Sequence, residues 1–145
     1  MKHASATGWT AAEAERAFAK AIRRRRRASL VGRLLRRCVE CAKLAVLDAD
    51  QGRRSPAAHG VRDIPLDAIA GSLEPHRAAE FDSEFRPSPR LRRRWLSVWM
   101  AEERGAVLPP ISVASIGHVY AIRDGHHRVS VARARGAVAI SAIVA

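Results

Sequence analysis

Acidic and aromatic side chains are both scarce in this chain. Asp and Glu number 14 against 26 Lys and Arg, a formal net charge of +12, and Phe, Trp and Tyr make up 5% of the residues. With so few aromatics, any core must be built mostly of aliphatic side chains and alanine. Two cysteines cannot form a disulfide scaffold. No apolar run approaches the roughly 20 residues that a bilayer span needs. The first residues also lack the apolar stretch of a secretory signal, so a cytoplasmic protein is expected. Hydrophobic residues still make up 48% of the 145 positions, enough for one domain with an appendage.

The positive charge is unevenly placed. Residues 1–60 hold 14 Lys and Arg against 5 Asp and Glu, a net of +9. Residues 61–145 hold 12 against 9, a net of +3. The first stretch reads as a basic helical arm with a linker, and the second as a compact domain. Arg23, Arg24, Arg25, Arg26 and Arg27 form the densest run. On a helix they point charge around the whole circumference, which suits neutralising phosphates without reading bases. DNA or RNA is the partner this predicts. No aromatics are interleaved with the arginines, so stacking on single strands is not indicated.

Residues 1–8 read as disordered, and Thr10 with Glu13 resembles a capping box that starts a helix near Ala11. After the arginines, Leu30, Val31, Leu34, Leu35, Cys38, Val39, Ala42, Ala45 and Val46 recur at three- and four-residue steps. This predicts a wide helical stripe that buries itself against the domain or dimerises with a second copy. Cys38 and Cys41 lie inside the stripe, where core packing is the expected role. Residues 50–56 have linker composition.

In the second stretch, Val61–Pro65 predicts a short edge strand, Leu66–Ile69 one helical turn, Gly71-Ser72 a turn, and residues 74–90 a loop. Leu91, Trp95, Val98 and Trp99 have helical spacing and read as a core stripe, flanked by Arg90, Arg92, Arg93 and Arg94. Strands are expected at Ile111–Ser115 and Val119–Ile122 with a hairpin turn between them. A helix then runs to Arg135, and a last strand covers Val138–Val144.

The chemistry is concentrated in Asp124-Gly125-His126-His127-Arg128, between an apolar strand and an apolar helix. A glycine turn at a helix start presents free N–H groups and a positive dipole end to an anion. Gly125 would let a phosphate approach the backbone, and Arg128 offers a planar fork to its oxygens. His126 and His127 can donate to oxygens, bind a metal or move a proton. Asp124 can cap the helix or hold a Mg²⁺ ion beside a triphosphate.

Taken in order, several segments resemble the ParB/sulfiredoxin superfamily, in particular its small ParB-like domains. They are Ile64-Pro65-Leu66-Asp67-Ala68-Ile69, Leu108-Pro109-Pro110-Ile111-Ser112-Val113, the run from Gly117 to Arg128, and the helix from Val129 to Gly136. The resemblance implies an α+β fold, a small mixed sheet with helices preceded here by the basic helical arm. It also implies a nucleotide-phosphate site at the glycine turn. Partition proteins of the superfamily hold the triphosphate of CTP with a Gly-Glu-Arg-Arg stretch, of which Gly125 and Arg128 keep the ends. Sulfiredoxins carry Gly-Cys-His-Arg there. Gly125, His127 and Arg128 match, but His126 replaces the redox cysteine, so sulfinic-acid reduction is not expected. Free-serine kinases are similar at Asp-Gly-His, which Asp124, Gly125 and His126 preserve. Pro75-His76-Arg77 resembles, in these three residues but not in those around them, the proline-arginine element that partition proteins carry ahead of the core. The helix-turn-helix that follows the domain in partition proteins has no counterpart in these residues.

The sequence therefore predicts a protein that binds a nucleoside triphosphate, CTP or ATP with Mg²⁺, through Gly125, His126, His127 and Arg128. Nucleic acid is expected on Arg23–Arg27. Two alternatives stand beside this. One is a phosphotransferase or ParB-type nuclease using Asp124 and His126, with Asp124 as metal holder. The other is a non-catalytic module that forms a homodimer through the N-terminal helix.

Overall fold

The computed structural model of the protein describes residues 3–35, 43–49 and 60–144, with side chains from residue 10 onward. The chain opens with a single long helix, α1 (His3–Leu34). From His3 on, this replaces the disorder expected over residues 1–8. Alanine at 4, 6, 11, 12 and 14 gives the segment high helix propensity, and Thr10 and Glu13 fall inside the helix instead of capping it. Arginine is also a good helix former, so the run at 23–27 does not interrupt α1.

The first half of α1 is anchored. Ala14, Phe18 and Ile22 follow one another at four-residue steps and are buried with Trp95, Trp99 and Val131. The second half is not. Leu30, Val31, Leu34 and Leu35 are 58, 44, 81 and 57% exposed. The continuous stripe expected from Leu30 to Val46 does not form, because the helix stops at Leu34 and Ala45–Val46 is a strand, β1. Cys38, Val39, Cys41, Ala42 and the linker at 50–56 lie outside the described residues. Before Gly60, the described residues join the body through α1 on the helical layer and through β1 in the sheet.

Five further strands complete a mixed sheet: β2 (Gly60–Pro65), β3 (Ile69–Ser72), β4 (Ile111–Ile116), β5 (Val119–Asp124) and β6 (Ala139–Val144). Their order is β1-β3-β5-β4-β6-β2. β4 and β5 form the expected antiparallel hairpin, while β6 runs parallel to β4 and β3 parallel to β5. β2 is an edge strand, the position its terminal Pro65 tolerates. Gly71-Ser72, expected as a turn, is the end of β3. A Cβ on Gly71 would lie 2.4 Å from the Ala45 carbonyl oxygen, so the glycine lets β1 pair closely alongside.

Among the described residues, three helices besides α1 accompany the sheet: α2 (Pro75–Ala78), α3 (Arg92–Glu103) and α4 (His126–Ala134). Residues 74–90, read as a plain loop, contain α2 and a tight turn organised by buried Asp82. Its carboxylate accepts from the Glu84 and Arg86 N–H groups at 3.0 and 2.8 Å. That turn holds Phe85 at a φ of 59° with its ring buried.

Two cores result. Ile64, Ile111, Val113, Ile122 and Val129 are all but fully buried between sheet and α4, each worth about 1.5–3 kcal/mol relative to exposure. Phe18, Trp95, Trp99 and Val131 form the second, between α1, α3 and α4. The stripe read at Leu91, Trp95, Val98 and Trp99 packs inward as expected. α4 supplies Val129 and Ala132 to one core and Val131 to the other, which fixes its N-terminus in place. The class is α+β with an N-terminal helix.

Candidate functional site

β5 delivers the chain to Asp124, and Gly125 turns it into α4 with a φ of 113°. An L residue rarely adopts that angle. A Cβ at Gly125 would also lie 2.4 Å from Ile111 Cγ2. The space the glycine frees is therefore filled by β4, which corrects the expectation that it is left open for a phosphate. The first helical bond of α4 runs from the Val129 N–H to the Gly125 carbonyl at 3.0 Å. The N–H groups of His126, His127 and Arg128 precede it and stand outside the ladder, at the positive end of the helix dipole.

Gly125 stands at the N-cap position and has no side chain to cap this end. The capping role expected of Asp124 is not taken up: its carboxylate is 78% exposed and accepts from Arg128 Nη2 at 3.1 Å. The same guanidinium donates through Nη1 to the Pro110 carbonyl at 3.1 Å and to the Pro109 carbonyl. Arg128 is thus braced against the segment leading into β4.

The two histidines lie beneath the turn. His126 and His127 are 4 and 7% exposed. His126 Nε2 shares a 2.6 Å hydrogen bond with Ser72 Oγ at the end of β3. That hydroxyl also accepts from the Glu74 N–H at 2.9 Å. Phe81 supports both rings, stacked on His126 at 6.0 Å and edge-on to His127 at 5.5 Å. Burial lowers the His126 pKa to about 4, helped by the Arg77 charge and opposed by Asp124. Burial lowers His127 to about 4 as well, helped by Arg94. Both imidazoles are neutral at pH 7. His127 Nε2 is buried without a hydrogen-bond partner among the described residues.

Asp124, Gly125, His126, His127 and Arg128 do come together, on a cleft of about 220 Å³. Arg77 and Arg94 join them there. The sequence placed Arg77 only through a resemblance and Arg94 only as a flank of the Trp95 stripe. Ser72 and Phe81 were missed, since nothing in their spacing ties them to α4. Asp124 is the one carboxylate in this lining. Among the described residues, no group of three His, Cys, Asp or Glu gathers to hold a metal ion.

The arginine run lies elsewhere. Arg25 is half-buried and donates to the Glu80 carbonyl at 3.3 Å. Arg23, Arg24, Arg26 and Arg27 are exposed. No helix among the described residues is long and apolar enough to cross a membrane.

No family model and no curated protein matches the chain. Among solved structures, it is similar to sulfiredoxin from Arabidopsis thaliana. The identity is 16% and the TM-score 0.39, over 59% of this chain and 84% of that one. A likeness at that level assigns neither activity nor ligand.

Proposed function

We propose that the protein binds a nucleoside triphosphate, CTP or ATP, by its phosphates at the start of α4. The observation that carries this reading is the convergence of Arg77, Arg94 and Arg128 on the cleft at an uncapped helix N-terminus. Three guanidinium groups line it with one carboxylate, Arg77 Nη1 also reaching the Glu80 carboxylate at 3.5 Å outside the lining, and unbonded N–H groups add to the positive field. Arg128 is braced; Arg77 and Arg94 are exposed and offer forks to phosphate oxygens. A cleft of about 220 Å³ takes the phosphates and leaves base and sugar outside it. Asp124, at its rim, is the residue that would hold Mg²⁺ together with phosphate oxygens. His126, buried and hydrogen-bonded to Ser72, supports the turn, which favours binding over His126-based catalysis.

Calorimetric titration with CTP, ATP, GTP and ADP in Mg²⁺ tests this. At least one triphosphate should give saturable heat, and Arg94→Ala and Arg77→Ala should each weaken it about tenfold. Absence of heat from all four nucleotides sinks the reading.

In the same proposal, Arg23, Arg24, Arg26 and Arg27 hold DNA or RNA by its phosphates. A salt series should give a log–log slope near −0.9 for each phosphate neutralised on duplex DNA. A flat slope removes nucleic acid. A second reading, self-association through the end of α1, is favoured by the exposure of Leu30, Val31, Leu34 and Leu35. Light scattering checks it: a dimer that Leu34→Gln with Leu35→Gln turns into a monomer supports it, and a monomeric wild type refutes it.

A further inference from the structure

The second half of α1 leaves the body. Ile22 is the last of its side chains to be buried, and half-buried Arg25 is held by the Glu80 carbonyl at 3.3 Å. From Arg26 to Leu34 every residue is exposed apart from half-buried Gly32. Arg23, Arg24, Arg26, Arg27 and Arg33 are all exposed, and none has a partner among the described residues.

Helical geometry sorts these side chains. At about 100° per residue, Arg23, Arg27, Leu30 and Leu34 fall within roughly 60° of one another, on the side opposite Phe18 and Arg25. They form one outward ridge about 16 Å long. Arg24 flanks the ridge on one side, and Arg26 and Arg33 flank it on the other, each about 70–90° away. The free rod thus carries cations on both flanks and a ridge of two arginines and two leucines between them.

A helix with its side chains is about 10–12 Å across, and the major groove of B-form DNA is about 12 Å wide. Laid along that groove, the flanking arginines meet the phosphates of both walls, and the ridge meets the floor. Arg23 and Arg27 match the O6 and N7 acceptors of guanine, and Leu30 and Leu34 match thymine methyl groups. Phosphate contact alone leaves the two leucines in water. A-form RNA has a major groove too deep and narrow for such a helix. A second copy laid along the whole ridge fits worse: parallel, it sets arginine against arginine, and antiparallel, arginine against leucine.

We infer that α1 from Arg23 to Leu34 occupies the major groove of duplex DNA. The inference rests on the nucleic-acid reading above and narrows it from any phosphate backbone to one groove of one duplex form.

Fluorescence anisotropy of the full chain with a G·C-containing DNA duplex, the RNA duplex of the same sequence and one DNA strand alone tests the form. Dimethyl sulfate footprinting of guanine N7 on the DNA duplex tests the groove. The DNA duplex should bind about tenfold tighter than the RNA duplex or more, with N7 protected at saturation. Arg23→Gln with Arg27→Gln should abolish that protection and weaken binding about tenfold. Arg24→Gln with Arg26→Gln should keep the protection and lower the log–log salt slope by about 2. An RNA duplex or single strand bound as tightly as the DNA duplex overturns the inference, as does N7 open to methylation at saturation. Either result leaves the nucleic-acid reading standing on phosphate contacts. Absence of binding to all three removes both.

Discussion

Acidification from pH 7.5 to 5 should weaken the fold through His126 and His127. Both folded-state pKa values lie at about 4, below the ordinary imidazole value of 6.5. The unfolded chain therefore takes up protons first. Stability from each histidine is fully present above pH 6.5 and is lost as pH falls toward 4. Between pH 7.5 and 5 the loss is about 2 kcal/mol per imidazole, from 1.36 kcal/mol per pH unit over the last unit and a half. Together they approach 4 kcal/mol, a large share of the ~5–15 kcal/mol that holds a domain together. Burial away from water is the main cause of the direction; Arg77 and Arg94 add to it by repelling an imidazolium, and Asp124 and Glu80 oppose it. Glu102 works in the opposite sense, because burial raises its carboxyl pKa and protonation there favours the folded state. Urea unfolding followed by circular dichroism at pH 7.5, 6.5, 5.8 and 5.0 measures the slope, and His127→Gln should roughly halve it. Loss of less than ~0.5 kcal/mol over that range, or both folded-state histidine resonances titrating near 6.5, refutes the reasoning.

Three further outcomes are expected. Gly125→Ala should cost about 3 kcal/mol or more in chemical denaturation, since the positive φ and the contact with Ile111 both penalise a methyl group. Ser72→Ala removes the partner of a buried imidazole nitrogen and should cost about 1–3 kcal/mol, read from the same urea curves. Phe18→Ala should cost about 3–5 kcal/mol because its ring packs on Trp95 at 5.5 Å, whereas Leu34→Gln, on the exposed end of the same helix, should fall within about 0.5 kcal/mol. Equal melting temperatures for these last two variants would show that α1 does not pack on the body.

The hairpin, the Trp95 helix and the glycine turn were legible because local signals coincide there: strand alternation, three- and four-residue spacing, and a residue that tolerates positive φ. The course of the chain after Leu34 was not legible. Apolar residues at 30–35 and at 45–46 share a helical period on paper, yet the second group is recruited by an open edge of β3. Hydrogen bonding to a neighbouring strand overrides periodicity there. Ser72 offered no signal either, since its partner His126 lies 54 residues away.

The sequence by itself determined the α+β class, the excess charge of the first 60 residues, and which five residues form the turn at the start of α4. Those properties depend on composition and on neighbours within one turn of helix or strand. Only the tertiary structure decided what the five residues can do. It brings Arg77 and Arg94 to them, buries both imidazoles on Phe81 so that they stay neutral, and ties Arg128 to the Pro109 and Pro110 carbonyls. Burial and the distance to other charges set a side chain's protonation and reach, and both depend on parts of the chain far apart in sequence.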